Sequence, residues 1–539
     1  MNRILILLPL SFLILALSVT IYFGNVGPNE SVVTLFQLVT NDPIECDYFS
    51  GTFYGRFSPA SCYLSQISYN LFKSIRFIFF INLVEFMIFG FFLYKFLPKI
   101  ICLNFYIILF LIIFSPAFTI NFFDIRTIED ELVVVIILLI ICWIKFIRTE
   151  KWFYGISFLI TLNFFIYSKE IAFIACTFFL LSYLLNIKNN KIKIIIYIGL
   201  ISNLIFIVQY IFFVYEKNTL IYAIPQSNNY DLLITYIKAF INYSLFSDPF
   251  IWIMLVPYGF LRAFNIIFKN SKVCISDQCL FAACAYSFSY LTIGVYGPYY
   301  LLPAYIFAIP TLYKIIKFYS NRNIIIILTI IFSLINSIPY SLYSINYGFV
   351  NNLNFNKLII YLTNELSKKE TRTSIFIGEE TQSRGHGNYW LIAGFLYFNG
   401  IGPDKFDLKI GQKIINEEGT PLFANRKFNS EIKYDKFQSS IHKYQYYPFT
   451  VFDYQAQIDL PLKDDLVIFG SFSGDSMVYP NWFRIDEYDE LKFNNGFYFS
   501  DFSLKSIVKN NINSLNYNNV IINSKNIRKF PQYVIYVKK

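Results

Sequence analysis

Long apolar runs alternate with short polar segments over the first 345 residues. Each run is roughly 17 to 25 residues long, the length of a helix that crosses the hydrocarbon core of a bilayer. The runs begin near Ile4, Ile75, Ile100, Leu132, Trp152, Ile171, Ile194, Pro249, Cys279, Tyr299 and Ile324. The pattern predicts a polytopic α-helical membrane module, residues 1–345, with about eleven spanning helices. The first run lacks a small-x-small cleavage site, so we interpret it as a helix and not as a signal peptide.

The pattern changes after about residue 350, where the long apolar runs stop. Three short runs, "TSIFIGEE", "DLVIFGSF" and "QYVIYVKK", are rich in the β-branched and aromatic residues that are typical of strands. The segment "NYWLIAGFLYFNG", between the first two, has a helical pattern. These features predict a separate mixed α/β domain over residues 346–539.

The charged residues of the loops predict an orientation. If the N-terminus is cytoplasmic, most basic residues of the module fall on the cytoplasmic side: Arg3, Lys95, Lys99, Lys145, Arg148, Lys151, Lys188, Lys191, Lys193, Arg262, Lys269, Lys272, Lys314, Lys317 and Arg322. Most acids fall on the outer side: Glu30, Asp42, Glu45, Asp47, Asp124, Glu129, Asp130, Glu131, Glu170, Glu216, Asp231 and Asp248. Because cytoplasmic loops carry the excess of Lys and Arg, we expect an N-in, C-out topology with the α/β domain outside.

Composition agrees with a membrane protein and narrows its chemistry. The chain has 539 residues, of which 56% are hydrophobic, 20% aromatic and 15% charged. The net charge of +10 comes largely from the loop cations, so we do not expect a nucleic-acid partner. No Cys-x-x-Cys pair occurs, and the two histidines, His386 and His442, follow the membrane module. A histidine-based metal site within that module is therefore excluded.

The first outer loop, residues 24–70, contains the segment "CDYFSGTFYGRFSPASC". Pro59 could open an amphipathic helix on the membrane surface, which would hold Asp47 and Arg56 at the depth of the lipid headgroups. The alternative is a solvated connection with no further role. Cys46 and Cys62 either form a disulfide that closes this loop or remain two free thiols.

The second outer segment, "SPAFTINFFDIRTIEDELVVV", brings Asp124, Arg126, Glu129, Asp130 and Glu131 to the start of a predicted helix. The helix dipole favours acids at this position, which accounts for part of the cluster. If Glu129 and Asp124 converge on Asp47, the carboxylates could bind a divalent cation, or a diphosphate ligand through it.

Ionisable residues also occur at or inside the membrane boundary. In "NFFIYSKEIAF", Lys169 and Glu170 lie between two apolar runs, either as a plain outer turn or as a site where Lys169 binds a lipid phosphate. Glu85 lies in the middle of the second apolar run, where we expect it to be neutral or paired with a buried partner.

A fourth segment, "GVYGPYYLLPAY" (294–305), interrupts the helical pattern with Gly and Pro near the outer surface. Tyr299 and Tyr300 are individually weak signals there, because tyrosine is enriched at membrane interfaces. Irregular backbone at this depth is tolerated where it lines a cavity, so the segment is a candidate wall of a site.

Together these features resemble the C-type (GT-C) membrane glycosyltransferases. The shared features are a cytoplasmic N-terminus, a long first outer loop with an early acid and "GRFSP", an acidic second segment, "YSKE", and a late "YGPYYLLPAY". The resemblance covers residues up to about 345. It implies transfer of a sugar from a polyprenyl-phosphate or polyprenyl-diphosphate carrier to a glycan, lipid or protein acceptor. The expected location is a bacterial inner membrane, with the site facing the periplasm or the exterior.

The resemblance also implies roles for individual residues. Asp47, or else Asp42, would be the base that takes the acceptor proton while the anomeric carbon is inverted. The carrier phosphate and donor would contact Arg56, Arg126, Lys169, Glu170, Tyr299 and Tyr300, and Asp124 and Glu129 would bind a divalent cation, Mg²⁺ or Mn²⁺. The adjacent acid pair common in the family's first loop is replaced by Asp42, Glu45 and Asp47, which leaves the base open between two residues.

Other interpretations fit the same sequence. A surface-polysaccharide polymerase or ligase would share the lipid-linked donor, but such proteins usually carry their large outer loop between later helices. A transporter or flippase predicts ionisable residues near the bilayer midplane, where only Glu85 is clearly placed by the sequence. A non-catalytic scaffold would not need the charged first loop. In the C-terminal domain, the loop with Glu379, Glu380, Arg384 and His386 is either a polar turn or a contact to the acceptor.

Overall fold

The computed structural model describes residues 7–23, 71–72, 74–96, 102–123, 129–184, 189–212, 240, 245, 248–293, 298–377, 392, 394–402, 404–410, 461–469, 485–492 and 534–539. This part of the chain is mostly helical and includes one small sheet. It falls into two compact units. The first contains the helices up to residue 345, and the second contains the residues from 346 onward together with 22–23 and 71–76.

The helices of the first unit begin close to the positions that the apolar pattern predicts. They are α1 Leu7–Phe23, α2 Ile75–Phe96, α3 Leu103–Ile113, α4 Pro116–Phe123, α5 Glu131–Thr149, α6 Trp152–Ser168, α7 Ala172–Leu184, α8 Asn190–Tyr210, α9 Val256–Lys269, α10 Ile275–Ile293, α11 Leu302–Tyr319 and α12 Asn323–Phe332. Helix α13, Ile338–Lys368, runs into the second unit. Each predicted start lies within about one helical turn of an observed one, provided that the π-helical turn Phe250–Leu255 is counted as the start of the segment that contains α9.

The predicted number of spanning helices is not confirmed. Six helical segments of the described chain are long and apolar enough to cross a membrane: 76–96, 131–149, 190–210, 250–269, 299–319 and 323–342. Helices α3 and α4 are bent by 41° and would make a seventh span if taken together. Helices α1, α6 and α7 are apolar but shorter, and α10 contains an acid, a glutamine and several serines, which lower its hydropathy. The structure therefore supports a polytopic membrane protein with a smaller number of full-length spans.

Helix α8 shows how the first unit presents its surface. Its residues Ile194, Ile198, Ile201, Ile205 and Val208 are 42–59% exposed and recur every three or four positions. They form one apolar face on the outside of the bundle, while the opposite face is buried. In water such a face would cost free energy, whereas lipid solvates it, so α8 is suited to the edge of a membrane bundle.

Several elements of this unit depart from regular α-helix. Pro116 has no N–H to donate, and the chain bends between α3 and α4 at Phe114 and Ser115. A π-helical turn, Phe250–Leu255, precedes α9, and another, Ser333–Ser337, follows α12. A 3₁₀ turn, Pro298–Leu301, opens α11, as the Gly and Pro residues of that segment predict. Irregular turns inside helical bundles are frequently found at functional sites.

Buried polar side chains join the helices. The Trp143 indole donates to Gln278 Oε1 at 2.8 Å, and Gln278 Nε2 donates to the Phe179 carbonyl at 3.0 Å, so α5, α10 and α7 are tied together. Trp143 and Gln278 are fully buried. Because unpaired polar groups are costly in an apolar interior, these bonds favour one mutual arrangement of the three helices.

The second unit contains a mixed five-stranded sheet in the order β2-β1-β3-β5-β4. Its strands are β1 Thr373–Ile377, β2 Phe406–Ile410, β3 Leu466–Phe469, β4 Tyr488–Lys492 and β5 Val534–Lys538. β1 pairs in parallel with β2 and β3, and β5 pairs antiparallel with β3 and β4. The three predicted strands are β1, β3 and β5, the interior of the sheet. The edge strands "FDLKI" and "YDELK" carry charges, which suit an edge and hide the strand pattern.

Candidate functional site

A buried ion pair joins the start of α5 to the turn between α6 and α7. Lys169 directly follows α6, and its Nζ lies 2.5 Å from Oε1 of Glu129, which precedes α5 by two residues. Both residues are 4% exposed. An ammonium group at this depth needs an anionic partner, because an unpaired buried charge costs several kcal/mol. Glu129 supplies that partner in this structure.

An aromatic ring also lies close to the Lys169 ammonium. Nζ lies 5.0 Å from the centroid of the Tyr300 ring, within range of a cation–π interaction. Tyr300 in turn stacks on Tyr290 of α10, with centroids 4.6 Å apart, and contacts Tyr299 at 4.1 Å. The lysine is therefore held between a carboxylate and an aromatic face.

The 3₁₀ turn that carries these tyrosines is fixed by an amide of α4. Asn121 Nδ2 donates to the carbonyl of Tyr299 at 2.8 Å and to that of Ala117 at 2.7 Å. Asn121 is fully buried. Asn121 was not among the predicted site residues, although an asparagine within the apolar stretch "TINFF" was the available signal. It places Tyr299 and Tyr300 relative to the bent helix pair.

Asp130 begins α5 as its N-cap. Its Oδ1 accepts a hydrogen bond from the Glu131 N–H at 3.1 Å, and the residue is 4% exposed. Burial, together with the nearby carboxylates of Glu85 and Glu131, raises the pKa of the Asp130 carboxyl well above its usual range. The helix dipole favours acids at the start of α5, but burial and the neighbouring carboxylates act against the charged form of Asp130.

Glu85 lies on α2 and is 3% exposed. Neither of its carboxylate oxygens has a hydrogen-bond partner in the structure, so the buried partner considered from the sequence is not found within the described chain. One turn earlier, Asn82 donates to the carbonyl of Phe122 and joins α2 to α4 at this level. The carboxyl faces the acids at the start of α5 without a compensating cation among the described residues.

The structure brings together four of the predicted site residues: Glu129, Lys169, Tyr299 and Tyr300. Glu170 lies next to Lys169, half-buried in the turn before α7, and the described ion pair belongs to Lys169. The other predicted residues lie outside the described residues: Asp42, Cys46, Asp47, Arg56, Cys62, Asp124 and Arg126. The base, the disulfide and the convergence of the two outer loops therefore stay predictions.

The structure describes one of the two expected ligands of the predicted divalent cation. Glu129, one of its two expected ligands, is engaged by the ammonium of Lys169. No group of three or more His, Cys, Asp or Glu side chains in the described part of the chain is arranged to hold a metal. Asp124, the other expected ligand, lies outside the described residues, so the Mg²⁺ or Mn²⁺ ion stays a prediction.

A second polar cluster lies at the opposite ends of the helices. Arg262 of α9 donates to both carboxylate oxygens of Asp277 on α10, at 2.8 and 2.9 Å, and Lys314 of α11 donates to Ser276 Oγ at 2.5 Å. The positive-inside pattern predicts that these residues lie on the cytoplasmic side. This cluster therefore lies at the helix ends opposite to those near Lys169 and Glu129.

No protein-family model matches the chain, and comparison with curated proteins finds no match. A functional proposal therefore rests on the chemistry of the site.

Proposed function

We propose that the chain is a membrane glycosyltransferase that transfers a sugar from a polyprenyl-phosphate or polyprenyl-diphosphate donor to an acceptor at the outer face of the membrane. The observation that supports this proposal best is the buried Lys169–Glu129 pair beside Tyr300. It provides a cation at the end of a helical bundle, at a level where a lipid-linked phosphate would arrive from the bilayer.

The pair offers a defined way to receive a phosphate. In the absence of donor, Glu129 neutralises Lys169 and keeps its ammonium in position. The donor phosphate is a phosphodiester with one negative charge, or a diphosphate with two, and its oxygens can displace Glu129 from Nζ by forming charge-assisted hydrogen bonds. Tyr300 then remains under the ammonium, so the cation keeps one neighbour in both states.

The chemical step needs a base near the acceptor. In this proposal Asp47, or else Asp42, removes the proton of the acceptor hydroxyl as the oxygen attacks the anomeric carbon. The bond from that carbon to the carrier phosphate breaks, and Lys169 stabilises the charge of the departing phosphate. The configuration at the anomeric carbon is inverted.

A transfer assay with a polyprenyl-phosphate-linked sugar tests this role of Lys169. We expect Lys169→Gln to weaken donor binding about 30-fold, because a hydrogen bond to a charged group contributes roughly 2 kcal/mol. Lys314→Gln, at the opposite helix ends, serves as the control and should retain donor binding. The sugar to use in this assay can be identified from the surface glycan of a strain that lacks the protein. Its mass, compared with that of the parent strain's glycan, shows which sugar is missing.

A double variant separates binding from folding. Lys169→Gln alone leaves Glu129 buried without its cation, whereas Glu129→Gln combined with Lys169→Gln replaces both charges by neutral amides. The double variant should fold and still bind the donor about 30-fold more weakly than the unmodified protein. Donor binding equal to that of the unmodified protein in a folded double variant would contradict the proposal.

A transporter of a lipid-linked glycan is the second candidate, and one observation favours it. Besides Glu85, the described bundle buries Asp130 and Asp248, which the sequence placed in outer segments. Buried ionisable groups are a feature of substrate and ion pathways. Sealed proteoliposomes distinguish the two: a transferase converts the donor without a gradient, whereas a transporter moves it chemically unchanged. The substitution Asp47→Asn should abolish sugar transfer and leave transport unchanged.

A further inference from the structure

A second buried acid lies away from the Lys169 site, immediately before the π-helical turn. Asp248 is 0% exposed. Its Oδ1 accepts a hydrogen bond from the Tyr305 hydroxyl of α11 at 2.9 Å, while Oδ2 is buried and has no hydrogen-bond partner. None of the ion pairs within the described chain involves Asp248. Among the described residues, this carboxylate therefore has a free oxygen and no protein cation.

Ser115 provides a second buried oxygen in the same neighbourhood. It lies at the bend between α3 and α4 and is 2% exposed. It interacts with the side chain of Tyr305, the residue that also binds Asp248. The ring of Tyr305 is enclosed by Phe118, at 5.7 Å, and Phe250, at 6.0 Å. The bend between α3 and α4 and the π-helical turn thus meet around one tyrosine.

The two oxygens are not hydrogen-bonded to each other, although a serine hydroxyl could donate to a carboxylate. Buried oxygens that lack donors cost free energy unless another positive group satisfies them. A small cation satisfies several oxygens at once, whereas a single proton satisfies one or two. A carboxylate and a hydroxyl, with no ammonium group beside them, are two of the several oxygen ligands that a hard cation takes.

The backbone at the end of α3 also favours a positively charged ligand. Helix α3 ends at Ile113, two residues before Ser115, where it has the negative end of its dipole. In its last turn the carbonyls of Phe110 and Ile112 accept from the N–H groups of Phe114 and Ser115, which leaves those of Leu111 and Ile113 as candidate ligands. Ends of interrupted membrane helices coordinate Na⁺ in this manner. One carboxylate neutralises one positive charge, so a monovalent ion leaves the buried site without net charge.

We propose that Asp248, Ser115 and the C-terminal end of α3 form a buried binding site for a monovalent metal cation of the size of Na⁺. The cation would join the bend between α3 and α4 to the start of the π-helical turn. Tyr305 would position the Asp248 carboxylate from α11. The proposal is independent of the transferase reaction, and neither Lys169 nor Glu129 takes part in it.

Thermal unfolding of the purified full-length protein in detergent tests the site. We expect the melting temperature to rise saturably with NaCl when choline chloride keeps the ionic strength constant, because a ligand that binds only the folded state stabilises it. Asp248→Asn should abolish this dependence. Ser115→Ala should raise the half-saturating Na⁺ concentration about tenfold, in the range seen when a metal site loses a supporting contact.

Ser287→Ala is a matched control, since Ser287 is also buried but donates to Ala283 within its own helix. It should keep the Na⁺ dependence of the unmodified protein. Equal melting temperatures in sodium and choline would overturn the proposal, as would an unchanged sodium dependence in Asp248→Asn. If Asp248→Asn does not fold, Ser115→Ala decides, and an unaltered half-saturating concentration contradicts the site.

Discussion

Asp130 combines a capping role with an electrostatic cost. As the N-cap of α5 it satisfies a backbone N–H, yet its carboxyl is buried beside Glu85 and Glu131. Asparagine can accept the same backbone hydrogen bond without carrying a charge. The substitution Asp130→Asn therefore separates the two effects.

We predict that stability depends on pH less steeply in Asp130→Asn than in the unmodified protein. The pKa of Asp130 is raised in the folded state, so the folded protein holds this proton more tightly than the unfolded chain. Its stabilising contribution is complete below the unfolded pKa and is lost as pH rises through the folded pKa. The loss is about 1.4 kcal/mol for each pH unit that separates the unfolded pKa from the folded one.

Melting temperatures measured in detergent provide the test, at pH values from below the unfolded pKa of Asp130 to above its folded pKa. Glu150→Gln, with an exposed side chain at the opposite end of α5, is the control and should follow the unmodified protein. An identical pH slope in Asp130→Asn would show that the raised pKa has no effect on folding stability.

At the scale of elements, small residues decide how closely the helices approach. A Cβ atom added at Gly199 of α8 would lie 2.9 Å from Leu180 of α7 and 3.1 Å from Leu162 of α6. Both distances are tighter than normal carbon contacts, so the leucines would have to move. Glycine at this position lets α8 pack closely against its neighbours, as small residues do in membrane bundles.

We predict that Gly199→Ala lowers the melting temperature, with an overpacking cost of roughly 1 to 3 kcal/mol. Gly90→Ala in α2 is the matched control, because its added Cβ would lie 3.5 Å from the nearest atom, in Leu10. That substitution should be neutral or slightly stabilising, since alanine favours helix over glycine. Equal melting temperatures for the two variants would contradict the close packing of α8.

The sequence predicted most helix starts and the inner strands, because continuous apolar runs and β-rich segments signal them directly. It did not predict the bend after Phe114 or the π-helical turn before α9, since hydropathy is continuous through both. Lys169 and Tyr300 were candidates, but their contact with Glu129 and Tyr290 depends on which helix ends meet. Asp248 was read only as an outer acid, because burial by distant helices leaves no local pattern.

At the scale of the whole molecule, charges at the helix ends predict an orientation. We expect a cysteine at Lys151, exposed between α5 and α6, to react with a membrane-impermeant maleimide only after cells are permeabilised. A cysteine at Leu462, 73% exposed in the second unit, should react in intact cells. Both variants require a background without the native cysteines. The reverse pattern of labelling would overturn the N-in, C-out prediction.

The hydrogen bonds of Gln278 can form only after α10 has been synthesised. The Trp143 indole of α5 finds its acceptor on α10, which is synthesised 135 residues later. Until α10 enters the membrane, the nascent bundle carries an indole N–H with no partner from this network. Chains truncated before Ile275 would therefore expose a polar defect in the bilayer, the kind of surface on which membrane chaperones and quality-control proteases act.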